Sequence, residues 1–551
     1  MAVDAPSRDL SQLLMGTWFP GEGALAGRIC SLEEALAAVD TTAYAIVHDG
    51  GVQYALGGSG HFGGETHEAG GAPIIGLIPP QSVALLGEPS FCTDHNLRYP
   101  CCAGAMANGI GSEEIVEAMG KAGMLGFFGA AGLPPARIEQ ALQRLTQSMG
   151  AAPYGFNLIN SPNETVWQEK VADLYIQYGV RLVEASAYVS LSLPLIKYRL
   201  HGLYRDEDGM VVAPNKVIAK LSRLEVATRF FSPPPERMVQ KLVEAGHVTP
   251  EQAEMAKEIP VAQDVTVEAD SGGHTDHRPA ITLLPTMLAL RNEMQAKFAY
   301  KERLRIGLAG GISTPGSAAG AFSMGADYIV TGSINQACRE SGTSDLVKQM
   351  LAGTAQTDVG EAPAADMFEM GVTVQVLKKT SRFVIRGTKL FETYKTYQSI
   401  EDIPAEEKAK LEAELFQMPM EAIWEQTKKY FEIHDPRQIQ RAEENPRTKM
   451  ALVFRWYLGQ SSGWAKRGVE DRQEDYQIWC GPAMGAFNEW VAGTYLEGWE
   501  GRHVAPIAKN ILFGAAVLLR AGSLRRQGLD LPPSAWQVKP LSEDAIGALL
   551  P

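Results

Sequence analysis

The stretch "RIGLAGGISTPGSAAGAFSMGADYIVTGSINQ", residues 305–336, decides the fold. A short apolar run ends in Gly310 and Gly311, a helix opens at Thr314 or Pro315, and a second apolar run ends in Gly332 and Ser333. The runs are continuous rather than alternating, as in parallel strands covered on both faces. The same unit recurs upstream. "AGAMANG", "MLGFFGAAG", "PYGFNLIN", "RLVEASAY", "KVIAKLS" and "VTVEAD" each precede a helical pattern. With "RIGLAGGI" and "YIVTGS" they make eight units in about 250 residues. Eight units predict a closed TIM-type (β/α)8 barrel rather than an open doubly wound sheet.

Residues 1–102 hold short apolar runs between dense turn signals and predict a small β-rich region. The barrel is expected over 103–362, with a helical insertion near 247–263. Beyond 363 the strand pattern stops. Apolar residues recur at three- and four-residue spacing, predicting an α-helical C-terminal domain or cap over 363–551.

The chain has 551 residues, 45% hydrophobic and 21% charged, which is ordinary for a globular protein. A formal charge of −14 speaks against general nucleic-acid binding. The run "ILFGAAVLL" is too short to span a bilayer, and "MAVDAPSRDLSQLL" lacks the pattern of a secretory signal. Six cysteines in so long a chain predict reduced thiols and a cytoplasmic setting. Cys92, His95, Cys101 and Cys102 lie close together in "FCTDHNLRYPCC" but without a paired CxxC, so no metal site is expected.

Active sites of such barrels stand at the C-terminal ends of the strands, with phosphate commonly after strands seven and eight. Gly310, Gly311, Gly332 and Ser333 fall there, and exposed amides make an anion site. Asn157 ends strand three with an amide that can both donate and accept, as a flavin's pyrimidine edge requires. Lys220 ends strand five, where it would either stabilise a reduced flavin or snorkel to solvent. "SGGHTDHRP" ends strand six. His274 is the candidate for proton transfer, with His277 and Arg278 as candidates for orientation or substrate anion binding.

"PYGFNLI", "SGGHT", "LAGGI" and "TGSINQ", in this order, resemble the FMN-dependent nitronate monooxygenase and enoyl-reductase barrels. "AMANGIGSEEIVEAMGKAGMLGFFGAAGL" and "NPRTKMALVFRWYLGQSSGWAKRG" resemble more narrowly the PfaD-type trans-acting enoyl reductases of polyunsaturated fatty acid and polyketide synthases. The resemblance implies FMN held by Met106, Ala107, Asn108 and Asn157, with Lys220, Gly272 and Gly273 beside it. It places the phosphate on Gly310, Gly311, Gly332 and Ser333, and the catalytic histidine at His274. The implied reaction is reduction of an enoyl thioester on an acyl carrier protein by NAD(P)H through FMN.

"LKKTSRFVIRGTKLF" carries Lys378, Lys379, Arg382, Arg386 and Lys389 with no acid among them, a candidate surface for steering an acidic carrier. Exposed apolar helices in the C-terminal part are compatible with a homodimer. Three other readings compete. One is a nitronate monooxygenase-type FMN oxidase. Another is a flavin-free nucleotide enzyme of the inosine monophosphate dehydrogenase kind, for which Cys338 is better read as structural. The third is a scaffold protein that has lost its chemistry.

Overall fold

The computed structural model describes residues 10–22, 26–63, 70–161, 165–273 and 276–550. The chain forms two compact units. One comprises the segment up to Pro89 with Thr314–Gly325 and Pro506–Pro551, the other Ser90–Ser313 with Ala326–Ala505.

The second unit contains the barrel. Its strands are β1 (Cys101–Ala103), β2 (Leu125–Phe128), β3 (Gly155–Ile159), β4 (Leu182–Ser186), β5 (Lys216–Leu221), β6 (Asp264–Glu268), β7 (Arg305–Ala309) and β8 (Tyr328–Thr331). They close in chain order, all parallel, with β8 pairing β1. The eight-unit repeat predicts this closure. The segment 247–263 carries the short helix Pro250–Met255, started by a capping box between Thr249 and Gln252.

Side chains two apart on a strand share a face, so the barrel interior fills in layers. At the floor, Arg305 of β7 meets Asp264 of β6 and Asp94. The middle layer is apolar, with Cys102, Leu125, Leu182, Ile218 and Tyr328 in one cluster with Phe91. Phe91 stacks on Tyr328 at 3.9 Å, nearly parallel. One step nearer the C-terminal ends, polar residues return: Asn157, Glu184, Lys220 and Glu268. That upper layer positions the site.

The C-terminal part of this unit is mainly helical. Phe383–Thr396, Met420–His434 and Pro446–Arg467 pack around Phe416, Phe454, Tyr457 and Trp464. It also holds a strand that the expected all-helical pattern omits: Thr373–Leu377 pairs antiparallel with Val359–Pro363. Val374 and Val376, β-branched and buried, favour that conformation.

The first unit is a six-stranded antiparallel sheet with a buried face of Trp18, Tyr44, Ile46 and Ile74. Its central helix, Val504–Arg526, is longer than the apolar run "ILFGAAVLL" and is long and apolar enough to cross a membrane. Of its most apolar window, 72% is buried. Arg520 on it donates to the carbonyls of Ala35 and Pro79, both at 2.7 Å, and of Thr41 at 3.0 Å. The chain beyond that helix carries a further short helix, Glu543–Leu549.

Candidate active site

The upper layer of the barrel is an ionic and amide floor. Asn157 is buried, and its amide NH2 donates to the Glu184 carbonyl at 3.1 Å and to Ser186 Oγ at 2.7 Å. The donors that the sequence assigns to a ligand are therefore committed to β4, leaving Oδ1 as the acceptor. Lys220 does not snorkel. Its Nζ stands 3.3 Å from Glu268 Oε1, with only 17% of the side chain exposed. Burial alone would lower its pKa, but the carboxylates of Glu268 and Glu184 outweigh it and keep the ammonium charged. Glu184 is 1% exposed. Its Oε2 accepts from the Ala105 N–H at 3.0 Å, and Oε1 has no partner among the described residues. Burial pushes this carboxyl above the ordinary value, against the pull of Lys220. Sequence reasoning misses Glu184 and Glu268. The signal is present, since an acid inside "RLVEAS" or "VTVEAD" breaks an otherwise apolar strand without a turn to excuse it.

Around this floor stand the loops. After β1, Met106–Asn108 form a half-buried turn closed by the Gly111 N–H on the Met106 carbonyl, 2.9 Å. Asn108 has a positive φ of 59°. After β7, Gly310 and Gly311 have φ of 87° and 78°. A Cβ on Gly310 would stand 2.6 Å from the Ala269 carbonyl oxygen, whereas on Gly311 it would meet nothing. Gly332, after β8, and Gly273, after β6, likewise face open space. Among the described residues no protein acceptor takes the N–H groups of Gly311 or Gly332. Free amides beside a carbonyl acceptor and a paired lysine suit a flat ligand bearing an anion.

The C-terminal region reaches three of these loops. Lys466 donates to the Asn108 carbonyl. Cys480 and Gly481 lie against Gly272: a Cβ on Gly272 would come within 2.9 Å of the Cys480 nitrogen, so the two backbones touch. Gly481 N–H reaches Ser333 Oγ at 3.4 Å. The region thus serves as a cap over the strand ends.

His274 lies outside the described residues. His277 Nδ1 donates to Asp270 Oδ1 at 2.9 Å, and the Gln375 amide nitrogen stands 3.2 Å from the same ring nitrogen. Arg278 is exposed and contributes its carbonyl to the Asp270 N–H at 3.0 Å. The basic stretch after the barrel is not an uncompensated surface. Lys379 pairs with Asp358 at 3.4 Å, Arg382 with Glu474 at 3.8 Å and Lys389 with Glu407 at 2.6 Å, while Arg386 grips Asp475 and Glu474. Lys378 is exposed, with Asp358 nearby. The acids come from elements distant in sequence, which is why the run reads as bare. Cys338 is fully buried, and burial pushes its thiol far above the ordinary range, as befits a structural residue. Cys92, Cys101 and Cys102 are buried free thiols, and His95 faces Asp264.

Fold and loops define a (β/α)8 barrel with its candidate site at the C-terminal strand ends. The nitronate monooxygenase family model matches residues 90–365. A second model, the inserted helical domain of [acyl-carrier-protein] S-malonyltransferase, matches residues 397–476. The crystal structure of the enoyl reductase domain of MlnA, from the macrolactin biosynthesis cluster of Bacillus amyloliquefaciens, is 44% identical. It covers 81% of this chain and 99% of that one, with a TM-score of 0.76. A component of the polyunsaturated fatty acid synthase of Thraustochytrium sp. is 43% identical over 474 residues, and polyketide biosynthesis protein PksE of Bacillus subtilis 46% over 435. The matches cover 84% and 79% of this chain but only 32% and 56% of those proteins. The chain belongs to the nitronate monooxygenase family, in its branch of PfaD-type enoyl reductases.

Proposed function

We propose that the protein is an FMN-dependent enoyl reductase that saturates the 2,3-double bond of thioesters carried on an acyl carrier protein, with NAD(P)H as reductant. One observation carries the cofactor reading. The N–H groups of Gly311 and Gly332, open and without protein acceptors among the described residues, stand after the last two strands above a floor offering Asn157 Oδ1 and Lys220. Those amides would take the phosphate, Asn157 Oδ1 would accept from the pyrimidine edge, and Lys220 would counter negative charge near it. Bound there, FMN supplies the group that accepts hydride from NAD(P)H and returns it to the β-carbon. The chain's own residues then hold the thioester, exclude water beneath the C-terminal cap, and deliver a proton to the α-carbon from the loop after β6. His274 is the proposed donor.

The substrate class is supported by the likeness to the macrolactin enoyl reductase domain and to the fatty acid synthase component. The paired basic residues after the barrel do not support carrier steering there. The nitronate monooxygenase-type oxidase shares fold and cofactor and differs in the electron acceptor.

Anaerobic mixing of the FMN-loaded protein with NADPH or NADH separates the two. Prompt bleaching of the flavin, followed by reoxidation with a crotonyl-type thioester and formation of the saturated product, is expected. No bleaching by either nucleotide, with oxygen consumed on addition of a nitronate, would establish the oxidase instead.

A further inference from the structure

The strand Thr373–Leu377 belongs to the hairpin beyond the barrel, yet one of its residues ties the loop after β6 at Gly273 and at Asp270. Gln375 exchanges both main-chain hydrogen bonds with Gly273, each at 3.4 Å, and its carbonyl also accepts from the Cys480 N–H at 3.3 Å. Its side-chain Nε2 donates to Asp270 Oδ1 at 2.7 Å and lies 3.2 Å from His277 Nδ1. Asp270 and His277 meet each other at 2.9 Å. Gly273 and Asp270, and through the Asp270 carboxylate His277, are therefore referred to one residue that is part of neither β6 nor the helix after it.

The amide is oriented by Asp270. A carboxylate accepts only, so the NH2 must face it and Oε1 must point away. Oε1 is then buried without a partner among the described residues, in a side chain only 8% exposed. An orphaned buried carbonyl is destabilising, so fold stability does not explain a glutamine here. Holding the Asp270–His277 pair does.

We infer that Gln375 is a positioning residue for proton delivery, fixing the loop after β6 against the C-terminal cap. The inference rests on the proposal that this loop supplies the proton. A misplacement of about 1 Å in a catalytic group costs on the order of a hundredfold in rate, and a loop tied by one side chain is exposed to such an error.

The test uses the full chain loaded with FMN, as Gln375→Met and Gln375→Glu. Methionine removes the side-chain bond to Asp270 together with the orphan. Tm and FMN stoichiometry are expected to stay near wild type. Amide exchange in the peptide covering 270–278 should quicken about tenfold. With a crotonyl-type thioester kcat should fall about ten- to a hundredfold, with KM changed less than about threefold. Glutamate carries a second signature. Protonated, it donates to Asp270 as the amide does; ionised, it repels that carboxylate. The groups facing it are Asp270 and His277 of the loop, Glu361 opposite it in the hairpin, and the buried Cys480 thiol. Its kcat relative to wild type should rise as pH falls from about 8 to about 6, while the ratio for methionine stays flat. Wild-type exchange and kcat in Gln375→Met, or superposable pH profiles of the two variants, would overturn the inference. Should His274→Ala retain full kcat, the proton-donor reading fails by itself, and exchange in Gln375→Met still decides the tether.

Discussion

Replacing Asp264 by alanine is expected to destabilise the protein by about 3–5 kcal/mol, the cost of leaving a buried cation without its partner. Arg305 is fully buried at the barrel floor. Its Nε lies 2.5 Å from Asp264 Oδ1 and its Nη2 3.1 Å from Oδ2, a two-point grip. Nη1 reaches Asp94 at 2.5 Å, but that carboxylate is partly exposed and cannot replace the lost pair. His95 Nε2 donates to the same Asp264 carboxylate at 2.9 Å and would lose that contact as well. Urea unfolding measures the loss. The double variant Asp264→Leu with Arg305→Met should recover more than half of it, because removing both charges removes the desolvation cost along with the attraction. A fall of less than about 1 kcal/mol in the single variant would mean that the floor is open to water.

The same pair sets a pH dependence. Burial opposes ionisation of Asp264, but Arg305 and His95 outweigh it and hold the carboxyl well below the usual range. A depressed carboxylate contributes stability that is full above the unfolded value of about 3.9 and fades as pH falls toward the folded value. Wild type should therefore lose stability on acidification below about pH 4, and Asp264→Ala should show a shallower slope over that interval.

His274→Ala is expected to lower kcat for enoyl thioester reduction by about a hundred- to ten-thousandfold, the span of a lost general acid. Reduction of bound FMN by NAD(P)H consumes no proton from this residue and should proceed at the wild-type rate. The half-reaction with the enoyl thioester should carry the whole deficit in stopped-flow traces. His277→Ala separates the two histidines: its Nδ1 is already engaged by Asp270, so a smaller effect is expected. A slow His277→Ala beside an unimpaired His274→Ala would transfer the proton-donor role to His277.

The barrel was legible because each strand is one continuous apolar run followed by a helix, and eight repeats leave a closed cylinder as the economical arrangement. The glycines proposed to hold the phosphate were legible for the same reason, since "LAGGI" and "VTGS" end the last two strands. What stayed hidden depends on pairing across distance. The basic run from Lys378 to Lys389 looks unopposed until Asp358, Glu407, Glu474 and Asp475 fold onto it. Glu184 and Glu268 show their role only once barrel register places them beside Lys220. Gln375 and Gly481 lie outside the barrel, and no local pattern marks a residue whose partners are a hundred positions away.

The central claim is that amides after the last two strands clamp the phosphate of a flavin. Titrating flavin-free protein with FMN and with riboflavin tests it most directly. Two charge-assisted hydrogen bonds at about 1.5–3 kcal/mol each predict one FMN per chain, bound at least about a hundredfold more tightly than riboflavin. A protein that takes up neither, or binds both equally, would contradict it.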